Sequence, residues 1–296
     1  MKVLLTGGSG QLGRALRPAL AGLGEVIAPP RAGFDLGQPA ALAARLDALR
    51  PELVVNAAAY TAVDAAEDDR DTAFAVNADA VDALARWAAR HGVPLVHFST
   101  DYVFDGALGR PCRESDAPHP LNVYGASKLA GERAALASGA RALVLRVGWL
   151  YGPNPGNFLA TMLRLLAERD KVRVVADQFG TPTDTGFVAA AAVAALRDCL
   201  AHDAGWGLYH LAASGATSWH GYAVEIARQA TARGLPLRCA ARAIVPLASA
   251  DWPTRARRPA DTRLDTSLFT RTFGVAPPNW RRRLAAVLDS WSPFPT

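Results

Sequence analysis

The chain has 296 residues, half of them hydrophobic and a fifth charged, with a formal net charge of +5. That length buries a large core and suits one large α/β domain or one and a half, which excludes a disordered or fibrous chain. Basic residues are dispersed until 255–258 and 281–283, without helix-turn-helix, RRM or zinc-finger spacing. They therefore read as solvated surface or as contacts to an anionic substrate, and no nucleic-acid partner is expected.

In chain order, short apolar runs alternate with segments of helical length. Strands are predicted at 3–5, 25–28, 53–56, 95–99 and 142–147, and the helices between them at 11–23, 39–49, 71–91 and 124–136. The runs are nearly all apolar, as strands covered on both faces should be. Strand and helix in alternation predict βαβ units with right-handed crossovers, hence an α/β chain with a Rossmann-like, doubly wound parallel sheet. Beyond Trp149 the pattern changes to a helix at 157–168, a strand near 172–175, an alanine-rich helix at 185–200, a strand at 207–211 and a helix at 218–233. The tail from Val245 shows weak periodicity. The expected division is a cofactor-binding domain at 1–148, with returns near 177–212, and an interleaved smaller substrate lobe at 149–176 and 213–296. Cys112, Cys199 and Cys239 are odd in number and far apart, which fits neither a disulfide framework nor a CxxC metal site and suggests a reducing compartment. The N-terminus shows no export signal, and the apolar stretch 188–196 is too short to span a bilayer. A cytoplasmic protein without membrane contact is expected.

Two constellations carry chemistry. Thr6-Gly-Gly-Ser-Gly-Gln-Leu-Gly13 follows a strand and opens a helix. Gly7 permits the tight turn, Gly10 lets the backbone approach a pyrophosphate, and Gly13 permits close helix packing. The helix N-terminus then offers free N–H groups to the anion. At the end of the second strand the chain reads Ala28-Pro-Pro-Arg31, with no acid for a ribose 2′-hydroxyl. Arg31 therefore points to the 2′-phosphate of NADPH, with NADH the other option. Asp35 and Leu36 are placed to border the adenine, and Asn56 to Ala59 to end a strand where pyrophosphate and ribose lie. Further on, 95–99 leads into Thr100-Asp101 at a strand end, and Tyr124 and Lys128 follow at i,i+4 on one helix face. A nearby ammonium is expected to lower the phenol pKa, so that Tyr124 donates a proton to a carbonyl oxygen that Thr100 also holds, while Lys128 reaches the nicotinamide ribose. Together the two constellations indicate hydride chemistry on a carbonyl or alcohol.

These residues resemble the extended short-chain dehydrogenase/reductase superfamily. Within it, the phrases at 55–64, 98–106, 121–132, 146–151, 177–183 and 258–264 resemble the dTDP-4-dehydrorhamnose reductase family. The resemblance implies reduction of dTDP-6-deoxy-L-lyxo-4-hexulose at C4 to dTDP-L-rhamnose. It implies Thr100, Tyr124 and Lys128 as the catalytic set, and Gly10, Gln11, Leu12, Asp35, Leu36, Ala59, Tyr60 and Thr61 as cofactor contacts. Thr100, Asp101, Tyr124, Trp149 and Asn157 would touch the sugar nucleotide. An indole beside a pyranose gives Trp149 a physical reason to be there, with a core tryptophan as the alternative. Arg258 or Arg263 is a candidate for the diphosphate through charge-assisted bonds.

Some family members place glutamates in the first helix and after Thr-Pro-Thr to hold a metal at a dimer contact. Here those positions are Ala15 and Gly186, so a magnesium site is unsupported and the chain is expected as a monomer or a homodimer. Other readings are a related 4,6-dehydratase or 4-epimerase, and a non-catalytic subunit on the same scaffold.

Overall fold

The computed structural model of the chain describes residues 1–291. Its centre is a six-stranded parallel sheet of β1 (Lys2–Thr6), β2 (Glu25–Ile27), β3 (Leu53–Asn56), β4 (Leu95–Thr100), β5 (Ala142–Val147) and, late in the chain, β10 (Gly207–His210), in the order β10-β5-β4-β3-β1-β2. All six lie where the apolar runs predict them. Alternate residues face opposite layers. Val3 and Leu5 of β1, with Leu143 and Leu145 of β5, pack against α1 (Gln11–Leu20) and the later α7 (Thr185–His202). Leu4 and Val144 pack on the other face, against α2 (Leu42–Leu49) and α4 (Ala80–His91). Two buried faces explain the continuous apolar runs.

From β1 the chain steps out to β2, then returns across β1 to β3. Strand order reverses there, so a crevice opens at the carboxyl ends of β1 and β3. Beneath it runs a row of buried polar groups in register. Thr6 donates to Asn56 Oδ1 at 2.6 Å, and the Asn56 amide meets His97 Nδ1 at 3.1 Å, tying β1, β3 and β4 together.

One predicted helix is interrupted. The segment 71–91 forms α3 (Arg70–Phe74), a π-helical turn at Ala75–Asp79, and then α4. Within that turn Asn77 is buried and bridges two elements: it accepts from Tyr60 N and donates to Tyr60 O and to Ser127 Oγ, at 2.9–3.0 Å. An extra residue in a π turn re-aims a side chain in this way, often at functional sites. Ser127 belongs to α5 (Val123–Ala137), which follows β4.

A second core is built mainly from later residues. It joins β6 (Leu150–Tyr151), α6 (Phe158–Glu168), β7 (Val172–Val175), α8 (Trp219–Ala232), β12 (Ile244–Leu247) and α10 (Trp280–Asp289), with Trp280 fully buried at its centre. Short strands β8 (Phe179–Gly180), β9 (Thr183–Asp184) and β11 (Thr217–Ser218) connect it. The weakly periodic tail therefore holds two helices, and one of them, α9 (Ser267–Phe273), returns to the main sheet, where Phe269 joins the first core. Helix α7 is long and apolar enough by composition to cross a membrane. Half of it is buried in the molecule, with Val188, Ala192 and Leu196 packed against the sheet.

Arg146 of β5 and Glu132 of α5 form a fully buried ion pair, joined at 2.9 and 2.5 Å. Arg146 also lies 4.9 Å from the Phe104 ring and 3.2 Å from His210 Nε2. Burial and that guanidinium push His210 down to about 3, so the imidazole is neutral. Glu132→Ala leaves a buried cation unpaired and is expected to cost about 3–5 kcal/mol in urea denaturation. The volume-matched double replacement Glu132→Leu with Arg146→Met should cost much less in the same measurement, because no charge is then left alone.

Candidate active site

A cleft of about 910 Å³ lies over the carboxyl ends of β1, β3, β4 and β5. At its floor Gly7 has φ +68°, and a Cβ there would meet Ala58 N at 2.7 Å, so only glycine makes this turn. A Cβ on Gly13 would collide with the Gly7 carbonyl, which explains how α1 starts so close to the strand. Helices α5, α6, α7, α8 and α10 each begin with a side chain that accepts from the first turn, from Asn122, Asn157, Asp184, Ser218 and Asn279 respectively. Helix α1 begins at Gly10 with no side-chain cap and no acid in its first turn. Gly10, Gln11 and Leu12 line the cleft, so the start of α1 lies where a helix N-terminus can take an anion. Gly13 sits just behind the lining.

Arg31, Asp35 and Leu36 line one end of the cleft, and Ala59, Tyr60 and Thr61 line a wall beside them. The Arg31 side chain is 78% exposed, with Nε 3.3 Å from Asp35 Oδ1. The Gly37 amide, with Arg31 beside it, holds the Asp35 carboxyl below its usual range.

At the other end stand Thr100, Asp101, Tyr124 and Lys128. Asn122 Oδ1 caps α5 through Gly125 N at 2.8 Å and so fixes where Tyr124 emerges. Tyr124 is half-buried. Lys128 is 2% exposed and donates from Nζ to the Phe98 carbonyl at 2.6 Å. The pKa pattern corrects one expectation. Burial pushes the Tyr124 phenol up to about 12, partly offset by the Thr100 hydroxyl, and pulls Lys128 down to about 8. Burial, not Lys128, sets the direction of the Tyr124 shift, and the ammonium is turned to a backbone carbonyl. Asp101 is 3% exposed, and burial raises its carboxyl to about 7 against the pull of the Thr262 and Thr100 hydroxyls. Thr100 Oγ1 donates to Asp101 Oδ1 at 3.1 Å, while Asp101 Oδ2 has no partner.

Trp149 also lines the cleft, its ring stacked 3.5 Å from that of Trp219. The structure moves two expected substrate residues away. Asn157 accepts from Ala160 N and donates to the Gly152 and Asn154 carbonyls, so it is the cap of α6 and not part of the lining; Asn154, Pro155 and Gly156 border the cleft instead. Arg258 is bonded to Asp64 at 2.7 Å and Arg263 to Asp261, and neither residue lines the cleft. Trp219, Phe34 and Arg14 line the cleft without having been singled out; a tryptophan opening a helix after Thr-Ser was the one available signal for Trp219. Ala15 and Gly186 offer no ligand atoms, and among the described residues no three His, Cys, Asp or Glu side chains gather as a metal site.

A family model described as the RmlD substrate binding domain matches residues 1–292. The chain is similar to dTDP-4-dehydrorhamnose reductase of Burkholderia thailandensis, 44% identical over 95% of this chain and 96% of that one. Among solved structures it is similar to a dTDP-4-dehydrorhamnose reductase from Clostridium acetobutylicum, with TM-score 0.90 and 34% identity over 98% of this chain and 99% of that one. It is also similar to that of Bacillus anthracis in complex with NADP, with TM-score 0.87 and 30% identity over 98% and 99%.

The raised Asp101 pKa has a sign in folding. The neutral carboxyl stabilises the fold fully below pH 4, and that contribution is lost as pH rises through about 7. An asparagine in its place does not ionise, so the unfolding free energy of Asp101→Asn minus that of the native chain should grow between pH 4 and 7, on the order of a few kcal/mol, and then level off. Denaturant titrations across that range check it, and a flat difference contradicts the burial assignment.

Proposed function

Because the chain belongs to the dTDP-4-dehydrorhamnose reductase family, we propose that it reduces the C4 ketone of dTDP-6-deoxy-L-lyxo-4-hexulose to dTDP-L-rhamnose with NADPH. The chain is an enzyme, an oxidoreductase of this family. One observation carries the reading: Thr100, Tyr124 and Lys128 stand on the same cleft as the uncapped start of α1. A dinucleotide seated on that helix would reach the proton donors across the cleft.

Gly10, Gln11 and Leu12 would take the pyrophosphate, with Gly7 and Gly13 shaping the turn. Asp35 and Leu36 would border the adenine, Arg31 would meet the 2′-phosphate, and Ala59, Tyr60 and Thr61 would flank the ribose. A reduced nicotinamide held by these residues would supply the hydride for the carbonyl carbon. Tyr124 gives its phenolic proton to the carbonyl oxygen, and Thr100 donates a second hydrogen bond there. A phenol near 12 is fully protonated at neutral pH, which is the form a reduction needs. Lys128, cationic below about 8, would reach the nicotinamide ribose. Trp149 and Asp101 would hold the sugar, one through an apolar ring face and the other through hydroxyls.

We assign the sheet part, 1–148 with returns near 177–212, to the cofactor and the remaining lobe to the sugar nucleotide. A monomer or a homodimer is the proposed assembly. Cytoplasm is the proposed compartment, where three free cysteines stay reduced.

Purified protein, the dTDP-keto-deoxysugar and NADPH should show loss of reduced-nicotinamide absorbance. Tyr124→Phe and Lys128→Ala should each lower kcat by about 10²–10⁴-fold with the fold intact by circular dichroism. Near-native rates in both would exclude the proton relay. Arg31→Ala should weaken NADPH binding while leaving NADH binding unchanged; equal effects on both cofactors would remove Arg31 from the 2′-phosphate.

A further inference from the structure

Trp149 has φ +50°, a left-handed backbone that a tryptophan keeps only where its surroundings hold it. Three neighbours do so. The Trp219 ring lies parallel within 2° at 3.5 Å. Gly180 packs so closely on the indole that a Cβ there would collide with it. The indole Nε1 donates to Thr262 Oγ1 at 3.0 Å.

Thr262 does not line the cleft, and it is 4% exposed. Its own amide donates to the Phe179 carbonyl at 2.9 Å, which pins it to the strand containing Gly180. The same hydroxyl that receives the indole N–H also donates to the Phe179 carbonyl at 3.4 Å. One buried hydroxyl thus ties the indole of the cleft wall to the strand behind it.

We propose that Thr262 is a positioning residue for the reduction, its hydroxyl fixing the Trp149 indole against the Phe179–Gly180 strand so that the pyranose is held in register with Thr100 and Tyr124. This rests on the substrate assignment above. Without the hydroxyl, the indole N–H loses its acceptor, and a strained backbone loses one of three restraints. The cofactor end, on the far side of Tyr124, has no such dependence.

The test compares Thr262→Val, which keeps the shape and removes the hydroxyl, with Thr262→Ser, which keeps the hydroxyl. Valine should lower kcat/KM for the keto-sugar nucleotide by about tenfold or more, chiefly through KM, with NADPH affinity unchanged within about twofold. Serine should restore kcat/KM to within about threefold of native. In ¹⁵N spectra, the Trp149 indole N–H, assigned by its loss in Trp149→Phe, should exchange faster with water in the valine variant and stay protected in the serine variant. A valine variant with native kcat, KM and indole protection overturns the proposal, as does serine failing like valine or NADPH affinity falling in parallel. If the native protein does not turn over this sugar, the substrate reading fails, while indole exchange still decides whether Thr262 holds Trp149.

Discussion

The site depends on a cation removed from water. Lys128 sits in the middle of α5, almost fully enclosed, with its ammonium on the Phe98 carbonyl of β4. An enclosed charge tolerates few positions, so this one bond sets the rotation of α5 against the sheet. Tyr124, one turn earlier on the same face, then emerges where β4 ends in Thr100. Gly125 contributes by letting the helix touch the Tyr102 carbonyl, where a Cβ would collide. Burial that weakens the lysine as a cation also fixes it in place.

The opposite end works by omission. Five helices receive a side-chain cap, while α1, like α2, α3, α4 and α9, has none; α1 starts on a glycine that lines the cleft. Between the two ends, the Thr6–Asn56–His97 row ties three strands at the level where both ends are carried. His97 is held neutral by burial and by the nearby Lys128, so the row adds no second charge beneath the cleft. The sheet thus provides one base that carries both the start of α1 and the strand end at Thr100.

Much of this was legible in the sequence, for particular physical reasons. Strands buried on both faces have to be apolar, so β1, β3, β4 and β5 could be read directly. The glycine turn was readable because Gly7 needs a positive φ and Gly13 a contact distance. Asn157 and Arg258 were misplaced because chemistry-bearing side chains also serve structure. A cap and an ion pair look no different in sequence from a ligand contact. The phenol pKa was misjudged because i,i+4 spacing reports proximity but not loss of water. The π turn left no mark, since no Gly or Pro interrupts the alanine-rich run and its cause, Asn77, bonds to residues 17 and 50 positions away. Helices α9 and α10 were hidden because their apolar positions answer two different cores.

Asn77 also joins parts that the chemistry treats separately. Its carboxamide grips the Tyr60 backbone on the cofactor wall and the Ser127 hydroxyl in the catalytic helix, and Ser127 in turn bonds the Tyr124 carbonyl. Wall and helix therefore share one set of hydrogen bonds, and a shift of the backbone at Tyr60 reaches the turn of the helix that carries Tyr124 through a single carboxamide.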